Sequence, residues 1–309
     1  MNILVTGANG FVGGHAIREL QRRGHEVFAT DTAPGAAAGL PAGLPYRSAD
    51  IRRPEDIDAL LDAARPDAIL HLGGIAFVPA AWEDPALVFH VNTIGPLQLL
   101  SAVRRKAPGV RVLLVTSAEV YGIHAPSPVS LDESAPYAPE NLYGVTKAAA
   151  DHGALLYAAH HGLDLMVARP SNHIGPGQSA PFVTTAFARQ LKEIALRGAP
   201  NRMNVGNLDA LRDFTDVRDT VRAYALLLER GHAGSAYNIA TGRLVPIRSV
   251  LDRLCDIAGV RPDIQVDPAL FRPDPPRPVL SPALLREHTG WVPEIPLADT
   301  LRDIYDALP

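Results

Sequence analysis

The sequence predicts an α/β protein in which a doubly wound parallel sheet is joined to a smaller C-terminal domain. Short apolar runs that fit buried strands alternate with helical patterns from residue 1 to about residue 165. From about residue 170 onward the chain is richer in proline, with a cluster between residues 268 and 282. We therefore place residues 1–170 in a first domain, to which residues near 216–240 return, and residues 171–309 mainly in a second domain.

Composition is typical of a globular protein. The 309 residues are 47% hydrophobic and 20% charged, and the formal net charge is −4. Without a basic excess, we expect binding neither to nucleic acid nor to an anionic membrane surface. No apolar run approaches the length that crosses a membrane, and the first residues lack the pattern of a secretory signal. Cys255 is the only cysteine, so no internal disulfide can form, and we expect a cytoplasmic location.

A glycine-rich turn follows the first predicted strand, residues 3–5, and precedes a helical pattern that extends to residue 24. Its three glycines have the spacing G-x-x-G-x-x-G. Between a strand and a helix, such glycines allow a tight turn, close approach to a pyrophosphate and close packing of the helix. The start of the helix then offers backbone N–H groups to phosphate oxygens. The candidate dinucleotide contacts in this turn are Gly7, Asn9, Gly10, Phe11, Val12 and Gly13.

Asp31 follows the second predicted strand, residues 26–30. A carboxylate there can accept hydrogen bonds from the ribose hydroxyls of adenosine, and it repels a 2′-phosphate. The sequence thus predicts NAD(P)H as the cofactor, with NADH favoured over NADPH. A capping role for Asp31 is the alternative, and Arg52 and Arg53 nearby keep NADPH possible. Further candidate cofactor contacts, where the next helical pattern begins, are Asp50 and Ile51.

The third predicted strand, residues 68–72, ends beside two glycines. Small residues at the carboxyl end of a strand leave room for a ligand. The next helix is predicted to begin at Val91 and Asn92, and Asn92 either caps this helix or lines the crevice. The candidate cofactor contacts in this region are Leu72, Gly73, Gly74 and Asn92.

Tyr143 and Lys147 are the candidates for proton transfer. They are four residues apart at the start of a predicted helix, so their side chains share one face. A phenol with a pKa near ~10 is a poor acid or base at neutral pH, and a neighbouring ammonium is expected to lower that pKa. An amphipathic helix with a solvated lysine is the alternative. A fourth predicted strand, residues 110–116, leads directly into Ser117 and Glu119.

These motifs occur in a recognisable order: Thr6-Gly-x-x-Gly-Phe-x-Gly13, His71-Leu72, Ser117-x-Glu119-x-Tyr-Gly122 and Tyr143-x-x-x-Lys147. The chain resembles, over essentially its whole length, the extended short-chain dehydrogenases/reductases that act on nucleotide sugars. The resemblance implies a Rossmann-type NAD(P)-binding domain and a catalytic triad of Ser117, Tyr143 and Lys147. In that family the tyrosine transfers a proton at the sugar oxygen, which the serine also hydrogen-bonds. The lysine binds the nicotinamide ribose, so Tyr143 and Lys147 are candidate cofactor contacts as well.

The same resemblance gives Glu119 a candidate catalytic role. In the family's sugar 4,6-dehydratases, a glutamate at this position is the base or acid that eliminates water. Those enzymes have Thr-Asp-Glu or Thr-Ser-Glu where this chain has Ser117-Ala118-Glu119, and the departure puts dehydratase activity in doubt. A solvated or salt-bridged glutamate is the alternative.

The second half resembles one branch of the family. Segments 168–178, 205–219 and 271–273 are similar to GDP-mannose 4,6-dehydratases and to reductases of GDP-4-keto-6-deoxy-mannose, and the chain length favours the reductases. This implies NAD(P)H-dependent reduction of the C4 keto group to a GDP-6-deoxyhexose. A nucleotide-sugar 4-epimerase or 4,6-dehydratase with tightly bound NAD(P) is the alternative. The implied substrate contacts are Asn172, Val183, Arg212 and Arg272, in which the arginines suit phosphate oxygens.

Two expectations concern assembly and metals. Enzymes of this family often dimerise by packing two helices per subunit, here residues 85–105 and 143–161, so we expect a homodimer. Core packing explains the apolar residues on those helices equally well. His152, His160 and His161 lack carboxylate or cysteine partners at ligand spacing, so we expect no metal site.

Overall fold

A seven-stranded parallel sheet forms the centre of the protein. The structure is a computed structural model that describes residues 1–122, 130–198, 200–271 and 277–309. The strands in these ranges are β1 (Asn2–Thr6), β2 (Glu26–Asp31), β3 (Tyr46–Ser48), β4 (Ala68–His71), β5 (Arg111–Val115), β6 (Leu165–Pro170), β7 (Asn172–Ile174), β8 (Arg202–Val205), β9 (Leu211–Arg212), β10 (Phe214–Asp216), β11 (Ala236–Ile239), β12 (Val245–Pro246) and β13 (Asp263–Val266). The large sheet has the order β11-β6-β5-β4-β1-β2-β3, and all its strand pairs are parallel.

Helices cover both faces of this sheet. The α-helices of the described residues are α1 (Phe11–Arg22), α2 (Pro54–Ala64), α3 (Ala80–Glu83), α4 (Pro85–Phe89), α5 (Gly95–Lys106), α6 (Leu142–His161), α7 (Val183–Arg197), α8 (Val217–Arg230), α9 (Ile247–Ala258), α10 (Ala283–Thr289) and α11 (Leu297–Ala307). Helices α1 and α8 pack on one face, and α2, α5 and α6 pack on the other. The predicted doubly wound parallel sheet is therefore confirmed.

The burial of β1 shows why its sequence is continuously apolar. Ile3 and Val5 face α1 and α8, whereas Leu4 faces α2 and α5, and all three are fully buried. A parallel strand covered on both faces has no polar side to present to water.

The strand order reverses between β1 and β4. The chain moves outward from β1 to β3 and then returns to the other side of β1, where Thr6 of β1 pairs with His71 of β4. At such a reversal the connections leave the two strands in opposite directions, and a crevice opens beyond their carboxyl ends. The fold therefore provides a ligand crevice beside the glycine turn.

The second part of the chain has its own small core. Helices α7, α9 and α11 pack around buried side chains that include Leu191, Met203 and Leu254. Three two-stranded sheets, β10-β7, β12-β9 and β13-β8, accompany them. Between these elements the chain returns to the large sheet, because α8 packs on it and β11 pairs with β6.

The helix near Asn92 begins earlier than the sequence predicts. Helix α4 starts at Pro85 and continues through a π-helical segment, His90–Ile94, into α5. Pro96 has no N–H to donate to the carbonyl four residues before it, and Gly95 donates instead to His90, five residues back. By length and mean hydropathy, 1.4, the whole helix Pro85–Lys106 would be able to cross a membrane, but 50% of its apolar window is buried inside the protein. That burial is typical of a core helix.

A buried ion pair connects α6 to the strands beneath it. Asp151 of α6 is fully buried, and Arg169 of β6 donates to both of its carboxylate oxygens at 2.9 and 2.8 Å. Thr116, directly after β5, donates to the same carboxylate at 2.8 Å, and the Tyr137 hydroxyl donates at 2.8 Å. Arg169 also donates to Tyr121 at 2.8 Å. The pair therefore fixes α6 against the carboxyl ends of β5 and β6.

We predict that Arg169→Met lowers the free energy of unfolding by about 3–5 kcal/mol, because it leaves the buried Asp151 carboxylate without its counter-charge. Urea denaturation followed by circular dichroism measures the change. Arg53→Met is the control, since its ion pair with Glu55 has side chains 61% and 63% exposed. The control is expected to change the free energy of unfolding far less, because water screens an exposed ion pair. Similar losses in the two variants would contradict the prediction.

Candidate active site

One cavity of about 1150 Å³ extends from the glycine turn to the second part of the chain. This volume exceeds the roughly 300–1,000 Å³ typical of a single small-molecule pocket. The predicted site residues that line it are Gly7, Gly10, Phe11, Val12, Gly13, Asp31, Asp50, Ile51, Leu72, Gly73, Gly74, Ser117, Glu119, Tyr143, Asn172, Val183 and Arg212. Asn9, Asn92 and Lys147 are not part of this lining, and Arg272 lies outside the described residues.

The glycine turn is built for close backbone contact. Gly7 has φ of 68°, and a Cβ there would lie 2.9 Å from the backbone nitrogen of Gly73. A Cβ at Gly13 would lie 2.4 Å from the carbonyl oxygen of Gly7. Helix α1 then begins after Gly10 without a side-chain cap, so its first N–H groups remain for an anion at the cavity wall. These features fit the pyrophosphate of a dinucleotide.

Asp31 lies at the end of β2 and lines the cavity. Its carboxylate accepts hydrogen bonds from the backbone N–H groups of Asn9 at 3.1 Å and Thr32 at 2.8 Å, which hold it in place. Arg52 also lines the cavity, but its guanidinium is paired with Asp50 at 2.6 Å. The side chain of Asn9 points away from the cavity, because it is hydrogen-bonded to the backbone of Gly35 and Ala37 in the loop after β2.

Asn92 supports the cavity wall from behind. It is 1% exposed, and its amide accepts from the N–H of Ile75 at 2.8 Å and donates to the carbonyl of Ile75 at 3.0 Å. It also donates to Thr146 of α6 at 3.2 Å. Neither alternative offered by the sequence describes this position, because Asn92 neither caps a helix nor lines the cavity. It fixes the loop after β4 to α6.

Ser117 and Tyr143 bring two hydroxyl groups together in the cavity wall. Ser117 lies two residues after β5 and Tyr143 lies in the first turn of α6, and both line the cavity, with the Ser117 hydroxyl near enough to lower the pKa of the phenol. The Lys147 ammonium lies 6.0 Å from the centre of the Tyr143 ring and donates to the carbonyl of Val115 at 3.2 Å. The structure thus groups all three residues of the expected triad.

The pKa of Tyr143 differs from the expectation. Burial raises it to about 12, while the hydrogen bond from Ser117 opposes the rise. Burial also lowers the pKa of Lys147 to about 8, although Asp151 favours its charged form. The expected lowering of the phenol pKa is therefore wrong for this structure, because burial dominates and the Glu119 carboxylate raises the pKa further. A phenol in this state is an acid that keeps its proton until a basic oxygen is beside it.

Glu119 is held by two residues that the sequence did not indicate. Arg277 donates to both carboxylate oxygens at 3.2 and 3.1 Å, and Asn141 donates to one of them at 3.0 Å. The salt-bridged alternative thus describes Glu119. Arg277 lies far along the chain in the proline-rich segment, so no local pattern connects it to Glu119. Asn141 carries a weak local indication, because it is the N-cap of α6 and accepts from Gly144 at 2.8 Å.

The far end of the cavity contains the predicted substrate contacts. Asn172 begins β7, Val183 begins α7, and Arg212 ends β9, where its guanidinium donates to the carbonyl of Leu211 at 2.7 Å. His173 also lines this region and stacks on Phe11, with ring centres 6.4 Å apart. Burial lowers the pKa of His173 to about 4, so its ring is neutral. Among the described residues, no group of three or more His, Cys, Asp or Glu side chains is placed to hold a metal ion.

A family model described as the NAD dependent epimerase/dehydratase family matches residues 3–240. The GDP-6-deoxy-D-mannose reductase of Pseudomonas aeruginosa is 38% identical over 306 residues, which cover 98% of this chain and 95% of that protein. The UDP-glucose 4-epimerase of Azospirillum brasilense is 30% identical over 311 residues, with coverage of 94% and 87%.

Solved structures have the same fold. A structure of RMD from Pseudomonas aeruginosa complexed with NADPH superimposes with a TM-score of 0.88 at 35% identity, covering 99% of this chain and 98% of that one. A UDP-glucose 4-epimerase of Thermus thermophilus in complex with NAD gives a TM-score of 0.86 at 31% identity, with coverage of 99% and 98%. Similarity therefore extends through both parts of the chain.

Proposed function

The chain belongs to the NAD dependent epimerase/dehydratase family, and we propose that it is an NAD(P)H-dependent reductase of a GDP-linked sugar. The substrate is GDP-4-keto-6-deoxy-mannose, whose C4 keto group is reduced to give a GDP-6-deoxyhexose. The similarity to a GDP-6-deoxy-D-mannose reductase over 98% of the chain supports this substrate. The observation that carries the proposal is the grouping of Ser117 and Tyr143 in the wall of one large cavity, with the Lys147 ammonium 6.0 Å from the centre of the Tyr143 ring.

Tyr143, Ser117 and Lys147 each have a different role in the reduction. When bound, NAD(P)H supplies the hydride. Tyr143 donates its phenolic proton to the C4 oxygen, and its raised pKa means that the proton is present throughout the neutral range. The Ser117 hydroxyl hydrogen-bonds the same oxygen as negative charge develops on it. The Lys147 ammonium binds the nicotinamide ribose and favours negative charge on the phenol oxygen.

The remaining cavity residues bind the two ligands. The glycine turn and the start of α1 hold the cofactor pyrophosphate, and the walls formed by residues 50–51 and 72–74 enclose the rest of the cofactor. At the other end, Arg212 binds the substrate diphosphate, together with Arg272, which lies outside the described residues. Asn172 contacts a phosphate or the sugar, and Val183 packs on the base. Residues 1–170 with the return near 216–240 form the cofactor domain, and residues 171–309 form most of the substrate domain.

We further propose a cytoplasmic homodimer. Helix α6 and the helix Pro85–Lys106 present the exposed apolar side chains of Leu156, 58% exposed, and Ile94, 44% exposed. Burying these side chains against a second copy would remove them from water. The single, buried Cys255 suits a reducing compartment. Sedimentation that shows only a 33.0 kDa species at micromolar concentration would contradict the dimer.

An epimerase or dehydratase that retains NAD(P) is the second candidate. It would use the same triad, and a UDP-glucose 4-epimerase aligns over 94% of the chain. In the dehydratase, Glu119 would be the acid or base, but its ion pair with Arg277 favours the reductase. Net oxidation of the cofactor separates the candidates, because only the reductase consumes NAD(P)H.

We predict that the protein oxidises NADH or NADPH when GDP-4-keto-6-deoxy-mannose is added, as followed at 340 nm. Tyr143→Phe is expected to lower kcat about 10²–10⁴-fold, because the proton donor is lost, while cofactor binding is retained. Tyr157→Phe, on the same helix but outside the cavity lining, is the control and is expected to keep its activity. Substrate conversion without net cofactor oxidation would favour the second candidate.

Comparing kcat/KM with NADH and with NADPH tests the predicted cofactor preference. We expect a higher kcat/KM with NADH than with NADPH, because the Asp31 carboxylate repels a 2′-phosphate and Arg52 is already paired with Asp50. Steady-state rates with both cofactors at one substrate concentration give the ratio. Kinetics with NADPH that equal or exceed those with NADH would overturn this preference.

We predict that kcat/KM falls as the pH rises above about 8, where Lys147 loses its proton. The direction of the change in kcat/KM follows from the pKa of Lys147, because the ammonium is present below this pKa and absent above it. Tyr143 stays protonated to about pH 12. Lys147→Arg is expected to be slower but to lack this decline, because a guanidinium remains protonated. A wild-type profile that is flat between pH 7 and 10 would contradict the assignment.

A further inference from the structure

The Glu119 carboxylate lies in the cavity wall and is fixed from two separate parts of the chain. Arg277 reaches it from the C-terminal segment, and Asn141 reaches it from the start of α6. The side chains of Glu119 and Arg277 are 25% and 21% exposed, and both line the cavity. This ion pair is therefore part of the ligand site and not a pair on the outer surface.

The carboxylate is also fixed relative to the reacting hydroxyl groups. The backbone N–H of Glu119 donates to the Ser117 hydroxyl oxygen at 3.1 Å. Asn141, which holds the carboxylate, is the N-cap of the helix that carries Tyr143. The Glu119 carbonyl lies so close to this helix that a Cβ at Gly144 would be 2.9 Å from it. Glu119 therefore occupies a set position beside the place where the sugar C4 oxygen is bound in the proposed reaction.

The chemistry of the group limits what it can bind. An ionised carboxylate only accepts hydrogen bonds and has about four acceptor positions. Three donor contacts are present, and the cavity adjoins the group, so acceptor capacity remains for a ligand. A hydroxyl can donate to it, whereas a phosphate oxygen would be repelled. The matching part of a nucleotide sugar is a ring that carries hydroxyls, and the position of Glu119 beside Ser117 favours the hexose over the ribose.

We propose that Arg277 is a specificity-determining residue, which holds Glu119 as an ion-paired acceptor for a hydroxyl of the hexose. The pairing supplies a counter-charge to the carboxylate and directs it, so that it positions the sugar and does not carry protons to or from the ring. The inference rests on the proposed function only in taking a GDP-linked hexose as the ligand. It assigns Arg277 to the sugar end of the site and not to the diphosphate.

Calorimetric titration tests the assignment with two probes, GDP-mannose and GDP, each added to protein saturated with NAD⁺. Arg277→Met is expected to raise the Kd of GDP-mannose about tenfold, as for loss of a charge-assisted contact, and to leave the Kd of GDP within about twofold. Arg277→Lys, which keeps the charge, is expected to restore most of the affinity. Arg212→Met is the matched control, and it should weaken both ligands equally.

Two outcomes would overturn the proposal. Equal weakening of GDP-mannose and GDP by Arg277→Met would place Arg277 on the diphosphate, and unchanged binding of both would remove it from the site. Glu119→Gln supplies an independent variant if Arg277→Met does not fold, and it is expected to weaken GDP-mannose alone. The double variant should lose no more than Glu119→Gln does, whereas additive losses would mean that the two residues act separately.

Assays of the wild-type protein and of Arg277→Met also distinguish a failure of this inference from a failure of the proposed function. If the wild-type protein fails to reduce GDP-4-keto-6-deoxy-mannose, the proposed function fails, but the binding titrations still decide the role of Arg277. If reduction occurs, Arg277→Met is expected to raise the KM for the keto-sugar more than it lowers kcat. An altered melting temperature with unchanged KM would assign Arg277 a structural role only and would overturn the proposal.

Discussion

The buried ion pair of Asp151 and Arg169 is the interaction on which the geometry of the site depends. Removing two charged groups from water is costly, and this pair is retained with each carboxylate oxygen satisfied by several donors. Its partners lie on α6, at the end of β5 and on β6. Ser117 follows the residue that bonds Asp151, and Lys147 precedes Asp151 by one helical turn. The pair therefore fixes the distance between the strand that carries the serine and the helix that carries the tyrosine and lysine.

Above this pair, burial decides the charge of the groups beside the reacting hydroxyls. Burial raises the pKa of Tyr143 and lowers that of Lys147, so the phenol is neutral in the neutral pH range while the ammonium loses its proton near pH 8. His71 lies behind the wall, hydrogen-bonded to Thr6 at 2.8 Å, and burial together with the charge of Lys147 lowers its pKa to about 3. A neutral His71 adds no second positive charge beside the lysine. The Glu119 carboxylate, two residues after Ser117, is balanced by Arg277.

The reversal of strand order joins these local features into one cavity. The glycine turn after β1 and the loop after β4 lie side by side because their strands pair. The contact is tight enough to exclude a Cβ at Gly7, whose nearest neighbour is the backbone of Gly73. The second part of the chain then closes the other end with β7, β9 and α7. A cavity that spans both parts brings a dinucleotide and a nucleotide sugar to the same two hydroxyl groups.

The sequence by itself determined the features that arise from neighbours along the chain. The alternating strands and helices, the glycine turn, Asp31 at a strand end and the pairing of Tyr143 with Lys147 all depend on short spacings, which local geometry converts directly into structure. Only the tertiary structure decided the rest. The contact of Arg277 with Glu119 joins residues 158 positions apart, and the buried place of Asn92 depends on the loop that packs over it. The pKa of Tyr143 likewise depends on burial by the whole fold, which no spacing of residues records.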